Sequence, residues 1–460
     1  MQTDIDFTRW AIYFVFGAPF LAWLVFGRSN PLKVLAAVGM LIFVQQSFTY
    51  RRYLGPIGVG PSIITAYVVL VALYAQRRRA PDLGSVWLLW GGFMLTAITG
   101  AIVGGLQGGS FERNVYDFQL LYLEGFIFFL IGSLAFTRDE ELQNFLFYFV
   151  MAGLLVSIAH IFCLVTGYRF RDFSEFSNEL RRYNYGGFFN NANTQGSFFS
   201  MTIPMALLLL TGGRLGRLRR GLVLTAIVFM LGSLLESVHR GGILTTGLLC
   251  LLIVWLTARR PAMAASLVLA GAAGVLASYF LLTTLLPEFA AASIDFAKEK
   301  GLESSRFGMW PRFVQMVLDN PLGIGLSVDN LLRTRGPYAI FLSSTHNLYL
   351  AVLVQVGFAG FAFFLALTGV ILYRNYRAWR TVTDASRRVL LLAVMMPLLG
   401  FFFVGVTESV WENGIKINQL FWFWCGISIS TSTRMLAERR AAVRSLPQPG
   451  ELEGSPAFGR

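Results

Sequence analysis

Charge is what this chain has least of. Asp, Glu, Lys and Arg make up 14% of its 460 residues, against about 25% in an ordinary soluble domain. Hydrophobic residues account for 55% and the mean hydropathy is +0.60. Together these exclude a soluble globular fold, because each charge set in hydrocarbon costs several kcal/mol and lipid selects against it. Cysteine is nearly absent. Cys163, Cys250 and Cys425 each lie inside an apolar run and none is near another, which excludes a disulfide framework or a thiolate metal site. They read as small buried hydrophobes. No acidic cluster has the spacing of a metal site, so neither metal nor cofactor is expected. The amino end has no basic leader followed by a small-residue cleavage site, so the first apolar run is expected to stay as a span.

Acids are also outnumbered by bases, 25 to 38, for a net charge of +13. In a soluble protein that excess would suggest nucleic acid. Here the arginines fall in short gaps between apolar runs, as at Arg77, Arg78, Arg79 and Arg217, Arg219, Arg220. That is the loop asymmetry of a membrane protein, and no nucleic-acid partner is expected.

What remains is apolar sequence in long runs. A bilayer core of about 30 Å needs about 20 such residues in a helix. Thirteen stretches qualify, near 9–27, 32–49, 58–75, 86–105, 116–136, 143–166, 194–213, 220–238, 241–258, 263–286, 346–372, 388–408 and 414–430. The predicted fold is an all-α polytopic bundle of about 12 to 14 spans, with 220–258 a hairpin turning at His239–Gly242. Residues 1–180 supply N-terminal spans, 181–430 carry the notable polar segments, and 431–460 read as a polar, disordered cytoplasmic tail. Arginine-bearing gaps put one face in the cytoplasm. Two long connections, 167–193 and 287–345, fall on the other face, and long ordered loops are usually functional. Within the second, Phe307, Trp310, Val314 and Val317 recur at helical spacing after Arg306. Asn320-Pro321 ends that helix, and Gly323-Ile324-Gly325 makes a turn. The helix is expected to lie at the outer membrane surface, with Pro311 early in it or kinking it.

Three polar segments lie on the predicted external side. Asn191 and Asn193 open the span at 194, suited either to cap it or to hydrogen-bond sugar hydroxyls. Arg240 follows Glu236-Ser237-Val238-His239 between two spans. Its guanidinium fork suits phosphate oxygens, and the alternative is an arginine reaching to the interface with Glu236 as its partner. His346 and Asn347 head the span at 346, where imidazole can exchange a proton near neutral pH. His160 reads as a packed or hydrogen-bonded interior residue. Arg306 and Arg312, with Arg181 and Arg182, add cationic groups able to ring an anion such as a lipid diphosphate, and fixed guanidinium groups would stabilise charge building on a leaving oxygen. Among acids, Glu124 lies inside a span, and Glu408 and Glu412 flank Trp411. Each is either functional or the counter-ion of an arginine.

These segments, in order over roughly 183–430, resemble the O-antigen ligase and O-antigen polymerase superfamily. Asn191-Ala192-Asn193 resembles its Asn-Pro-Asn segment, with Ala192 where Pro is usual. Ser237-Val238-His239-Arg240-Gly241 is similar to Ser-x-Ser-Arg-Gly, with His239 for the second Ser. Arg306-x-x-x-Trp310 followed by Asn320-Pro321-Leu322-Gly323-x-Gly325 resembles the external-loop signature. His346-Asn347-x-Tyr349-Leu350 and Val356-Gly357-Phe358-Ala359-Gly360 resemble the closing segment. The resemblance implies an inverting, metal-independent glycosyltransferase of the bacterial inner membrane, facing the periplasm. Its donor would be a glycan on undecaprenyl diphosphate. Arg240 and Arg306 would hold the diphosphate, and His346 would act at the acceptor hydroxyl. Asn191, Asn193, Arg312, Asn347 and Glu408 would line the substrate. Implied partners are the lipid-linked glycan, an acceptor glycan or lipid A core, membrane lipids and a chain-length regulator. Polymerising repeat units is the favoured reading and ligation to lipid A core the alternative. A lipid-linked sugar transporter would instead need polar residues spread through the bilayer depth.

Overall fold

The computed structural model describes residues 29–43, 61–76, 83–166, 189, 192–212, 215–237, 239–257, 305–338, 340, 344–408, 410–411 and 415–444. Among them there is no strand. In order the helices are α1 (Asn30–Phe43), α2 (Pro61–Ala75), α3 (Ser85–Leu106), α4 (Phe111–Ala135), α5 (Asp139–Thr166), α6 (Ala192–Gly212) and α7 (Arg217–Glu236). Then come α8 (Arg240–Thr257), α9 (Ser305–Asp319), α10 (Val328–Thr334), α11 (Leu348–Thr381), α12 (Ala385–Gly405) and α13 (Ile415–Arg444). Eight of these, α3 to α8 with α11 and α12, are long and apolar enough to cross a membrane. α1 and α2 are shorter apolar helices. The spans expected near 9–27 and 263–286 lie outside the described residues.

A single apolar core runs from Val34 to Met435, so the sequence division at 180 is not a packing boundary. α13 is its axis. Trp422, Phe423, Trp424 and Ile427 are fully buried, and Trp422 packs on Trp90 of α3 with ring centroids 4.4 Å apart. α13 crosses α4 where Gly132 meets the Phe423 carbonyl and Gly426 meets the Phe129 carbonyl, with no room for a Cβ at either. Small residues let helix backbones approach in lipid, where hydrophobicity does not itself drive helices together.

The polar tail expected from 431 is instead the last part of α13 as far as Arg444. Thr431, Ser432 and Met435 are buried. Arg434 pairs with Asp139 at 2.6 Å, and Arg387 joins Asp139 and Glu438, each at 2.8 Å. Enclosure and this ion network hold helical a segment whose composition alone reads as disordered. The same contacts bring the starts of α5 and α12 to one end of the bundle. Arg374 donating to the Leu83 carbonyl at 3.2 Å and Arg219 to Asn144 at 2.8 Å add the starts of α3 and α7. This is the basic end.

The expected hairpin turn is also displaced. α7 ends at Glu236 and α8 begins at Arg240. α8 leaves α7 to pack on α6 and α12, because the glycines at 241 and 242 allow that approach. The loop helix α9 forms as its spacing predicts, but its buried stripe is Met309, Phe313, Met316 and Val317, while Val314 is exposed. It docks through that stripe on Val354 of α11 as a small second core.

Candidate functional site

At the end opposite the basic one, three separated segments converge on the turn that closes α12, Gly405 to Glu408. Gly405 abuts Leu348 at the head of α11. The Val406 carbonyl accepts from Asn347 Nδ2 at 2.9 Å. Thr407 faces Gly241 of α8, where a Cβ would stand 2.6 Å from its hydroxyl. Glu408 accepts from Asn193 Nδ2 of α6 at 2.8 Å and faces His239 Nε2 at 3.6 Å. Arg240 and His346 are the immediate neighbours of residues this turn touches, so both stand at the same end. They come from points far apart in sequence.

His239 is locked. Its ring fills a slot left by two glycines: a Cβ on Gly196 or Gly242 would collide with the imidazole. Its Nδ1 accepts from the Gly242 N–H at 3.1 Å. That contact assigns the proton to Nε2, pointing toward the Glu408 carboxylate. His239 and Glu408 are both buried, and a buried carboxylate needs such donors. Arg240, the next residue, is exposed at the first position of α8 and makes no ion pair among the described residues. Free helical N–H groups and a guanidinium there both favour an anion.

Glu236 does not pair with Arg240. It hydrogen-bonds the fully buried His160 of α5, which makes His160 the hydrogen-bonded interior residue expected of it. Two histidine–glutamate pairs therefore flank the α7–α8 turn. The sequence signalled the second only through His239, the residue departing from the usual Ser-x-Ser-Arg-Gly.

His346 is half-buried with φ 48°, the only positive φ outside glycine among the described residues. Such a backbone costs about 1–3 kcal/mol and persists only where surroundings impose it. They do so here from both sides. Thr345 offers its carbonyl to Trp310 Nε1 of α9 at 3.2 Å. Asn347 caps α11, its Oδ1 accepting from Leu350 N at 3.0 Å. The Asn347 amide is thus engaged in capping and in bracing α12. Arg306 stands in the first turn of α9, one turn before Trp310, and Arg312 is exposed further along it. Asn191, Arg181, Arg182 and Glu412 lie outside the described residues.

Glu124 is apart from this site. It is buried in α4 beside a π-turn at Gln119–Leu123. Its carboxyl accepts from Gln119 at 3.4 Å and from Gln419, so among the described residues its hydrogen-bond partners are amides and no arginine pairs with it.

Fold and site together define a polytopic helical membrane protein with a cationic, histidine-bearing site gathered at one end. Residues 225–365 match the family model described as O-Antigen ligase. Arg240, Arg306, His346 and Asn347 fall within the matched segment, while Asn193 and Glu408 lie outside it. No curated protein matches the chain.

Proposed function

We propose that this chain transfers a glycan from undecaprenyl diphosphate to an acceptor sugar at the periplasmic face of the inner membrane, polymerising repeat units of an exopolysaccharide or O-antigen. The distribution of basic loops favours a cytoplasmic position for the arginine-rich end, and this supports a periplasmic position for the site. The acceptor hydroxyl attacks the anomeric carbon of the donor sugar. The bond from that carbon to the diphosphate breaks, its electron pair leaving with the diphosphate, and the carbon inverts. Arg240 and Arg306 stabilise the charge gathering on the departing phosphate oxygen. His346 accepts the proton of the attacking hydroxyl. Asn193, held by Glu408, and Arg312 border the sugar, and no step calls for a metal.

The observation that carries this reading is the convergence on Gly405–Glu408, which sets the exposed Arg240 and the strained His346 at one end of the bundle. The test is transfer by His346→Ala and Arg240→Ala in membranes containing equal amounts of folded protein. Each is expected to lose about 100-fold or more, the scale for removing a general base or an electrostatic clamp. Full activity in both would overturn the assignment. The description of the matched model favours ligation to lipid A core as a second acceptor. The two separate on a gel of surface polysaccharide from cells lacking the gene. A single repeat on the core means polymerase, and bare core with long lipid-linked chains means ligase.

A further inference from the structure

At the basic end, α11 and α13 enclose a cleft of about 280 Å³ lined by Arg377, Arg439, Arg440 and Arg444, with Thr381, Leu436 and Val443. No acid lines it. The arginines beside it are different. Arg387 and Arg434 are both neutralised by Asp139 and Glu438. The four in the cleft make no ion pair among the described residues. Four like charges facing one cavity repel one another and raise the local potential unless an anion joins them.

The cleft's depth says where that anion comes from. Tyr373 and Tyr376 are exposed on α11, about two turns and one turn before its end respectively, and Trp379 lies beneath the guanidinium of Arg388 at 5.0 Å. Aromatic side chains of this kind mark the headgroup level of a bilayer. α13, with 30 residues, is about 45 Å long, more than the hydrocarbon core needs. Its last turns therefore run through the headgroup layer, presenting Leu436 and Val443 as apolar wall beside the arginines. Basic clefts between helices at a cytoplasmic surface suit phosphate headgroups.

We propose that this cleft is a binding site for the phosphodiester headgroup of an anionic phospholipid of the cytoplasmic leaflet, separate from the site at the other end. Free phosphate shares the chemistry but has no use for the apolar wall. The full chain in nanodiscs of phosphatidylcholine, titrated with phosphatidylglycerol or cardiolipin and read by native mass spectrometry, tests this. Retained anionic lipid is expected to fall about fivefold for each of Arg377→Gln and Arg440→Gln. Arg217→Gln and Arg220→Gln, made singly so that each is the same charge loss at another part of that end, should leave it unchanged. Equal loss in the control pair would reduce the effect to general surface charge and overturn the site. Displacement of the lipid by millimolar inorganic phosphate would overturn the lipid as its source. Unchanged retention in the cleft variants would overturn both.

Discussion

At the residue scale the most informative position is His239, because an imidazole there requires three other residues to accommodate it. Gly196 and Gly242 make the slot, and the Glu408 carboxylate faces Nε2 at 3.6 Å, beyond hydrogen-bond length. Glu408 faces two donors at once, Asn193 Nδ2 and His239 Nε2–H. Glutamine would meet only one of them with an oxygen and would turn its own NH2 against the other. Glu408→Gln is therefore expected to cost about 1–3 kcal/mol, the value of a buried polar group left without a partner. Asn193→Asp alone should also destabilise, by setting two carboxylates together. The pair Asn193→Asp with Glu408→Gln restores the complement, since the carboxylate introduced on α6 would accept from the new amide NH2, while the amide oxygen would accept from His239. Thermal unfolding of all four proteins measures the coupling, expected at about 0.5–3 kcal/mol in favour of the double variant. Additive losses would show that Glu408 does not bridge α6 and the α7–α8 turn.

At the element scale the loop signature and the closing segment of the sequence turn out to be two halves of one joint. α11 breaks at Gly357, with φ 67° and ψ −170°, a region open essentially to glycine alone. The break frees backbone groups that the Asn320–Gly325 turn takes up. Phe358 N donates to the Pro321 carbonyl at 3.1 Å, and Ile324 N donates to the Val354 carbonyl at 2.9 Å. Asn114 of α4 holds the far side, its Oδ1 accepting from Leu326 N at 2.9 Å and from Asn330 Nδ2 at 2.8 Å. Gly357→Ala should thus destabilise by about 2 kcal/mol or more through strain alone. Asn114→Ala should cost about 1–3 kcal/mol by leaving the Leu326 and Ser327 N–H groups without an acceptor. Both should expose the 320–335 segment to limited proteolysis, which unaltered cleavage would refute. The joint also marks how far the sequence could be read. Apolar runs located most of the described spans to within a few residues, since lipid imposes length and composition directly, while α11 ran on to Thr381 and α13 to Arg444. The order of motifs offered Arg240, Arg306 and His346 as candidates, and the fold brings Arg240 and His346 to one end of the bundle. What periodicity could not show was which glycines face which carbonyls, or that Asn114, an ordinary polar residue in an amphipathic turn, would be a buried hub. Those depend on helix partners hundreds of residues away. The α9 stripe missed at Val314 for the same reason, because α11 and not lipid is its partner.

At the scale of the whole molecule, the ion-paired arginine network and the left-handed His346 lie at opposite ends. The basic end is held by a four-member network, Arg387 and Arg434 with Asp139 and Glu438. Such part-exposed pairs are individually worth at most about 1 kcal/mol, though networks do better. The other end has the exposed Arg240, the left-handed His346 and the α9 layer, which a chain optimised for packing alone would not keep. An arginine-rich end resists translocation, so this segregation orients the protein and thereby chooses which compartment the site meets. That orientation can be measured independently of chemistry. With Cys163, Cys250 and Cys425 replaced by alanine, Gly336→Cys, exposed beside α9, should react with a membrane-impermeant maleimide added outside the inner membrane. Ala441→Cys, exposed at the end of α13, should react only after the membrane is opened. Reversed labelling would leave the helix packing intact but put Arg240 and His346 in the cytoplasm. A lipid-linked glycan presented in the periplasm could not reach them there, and the assignment of donor and acceptor would fall with the orientation.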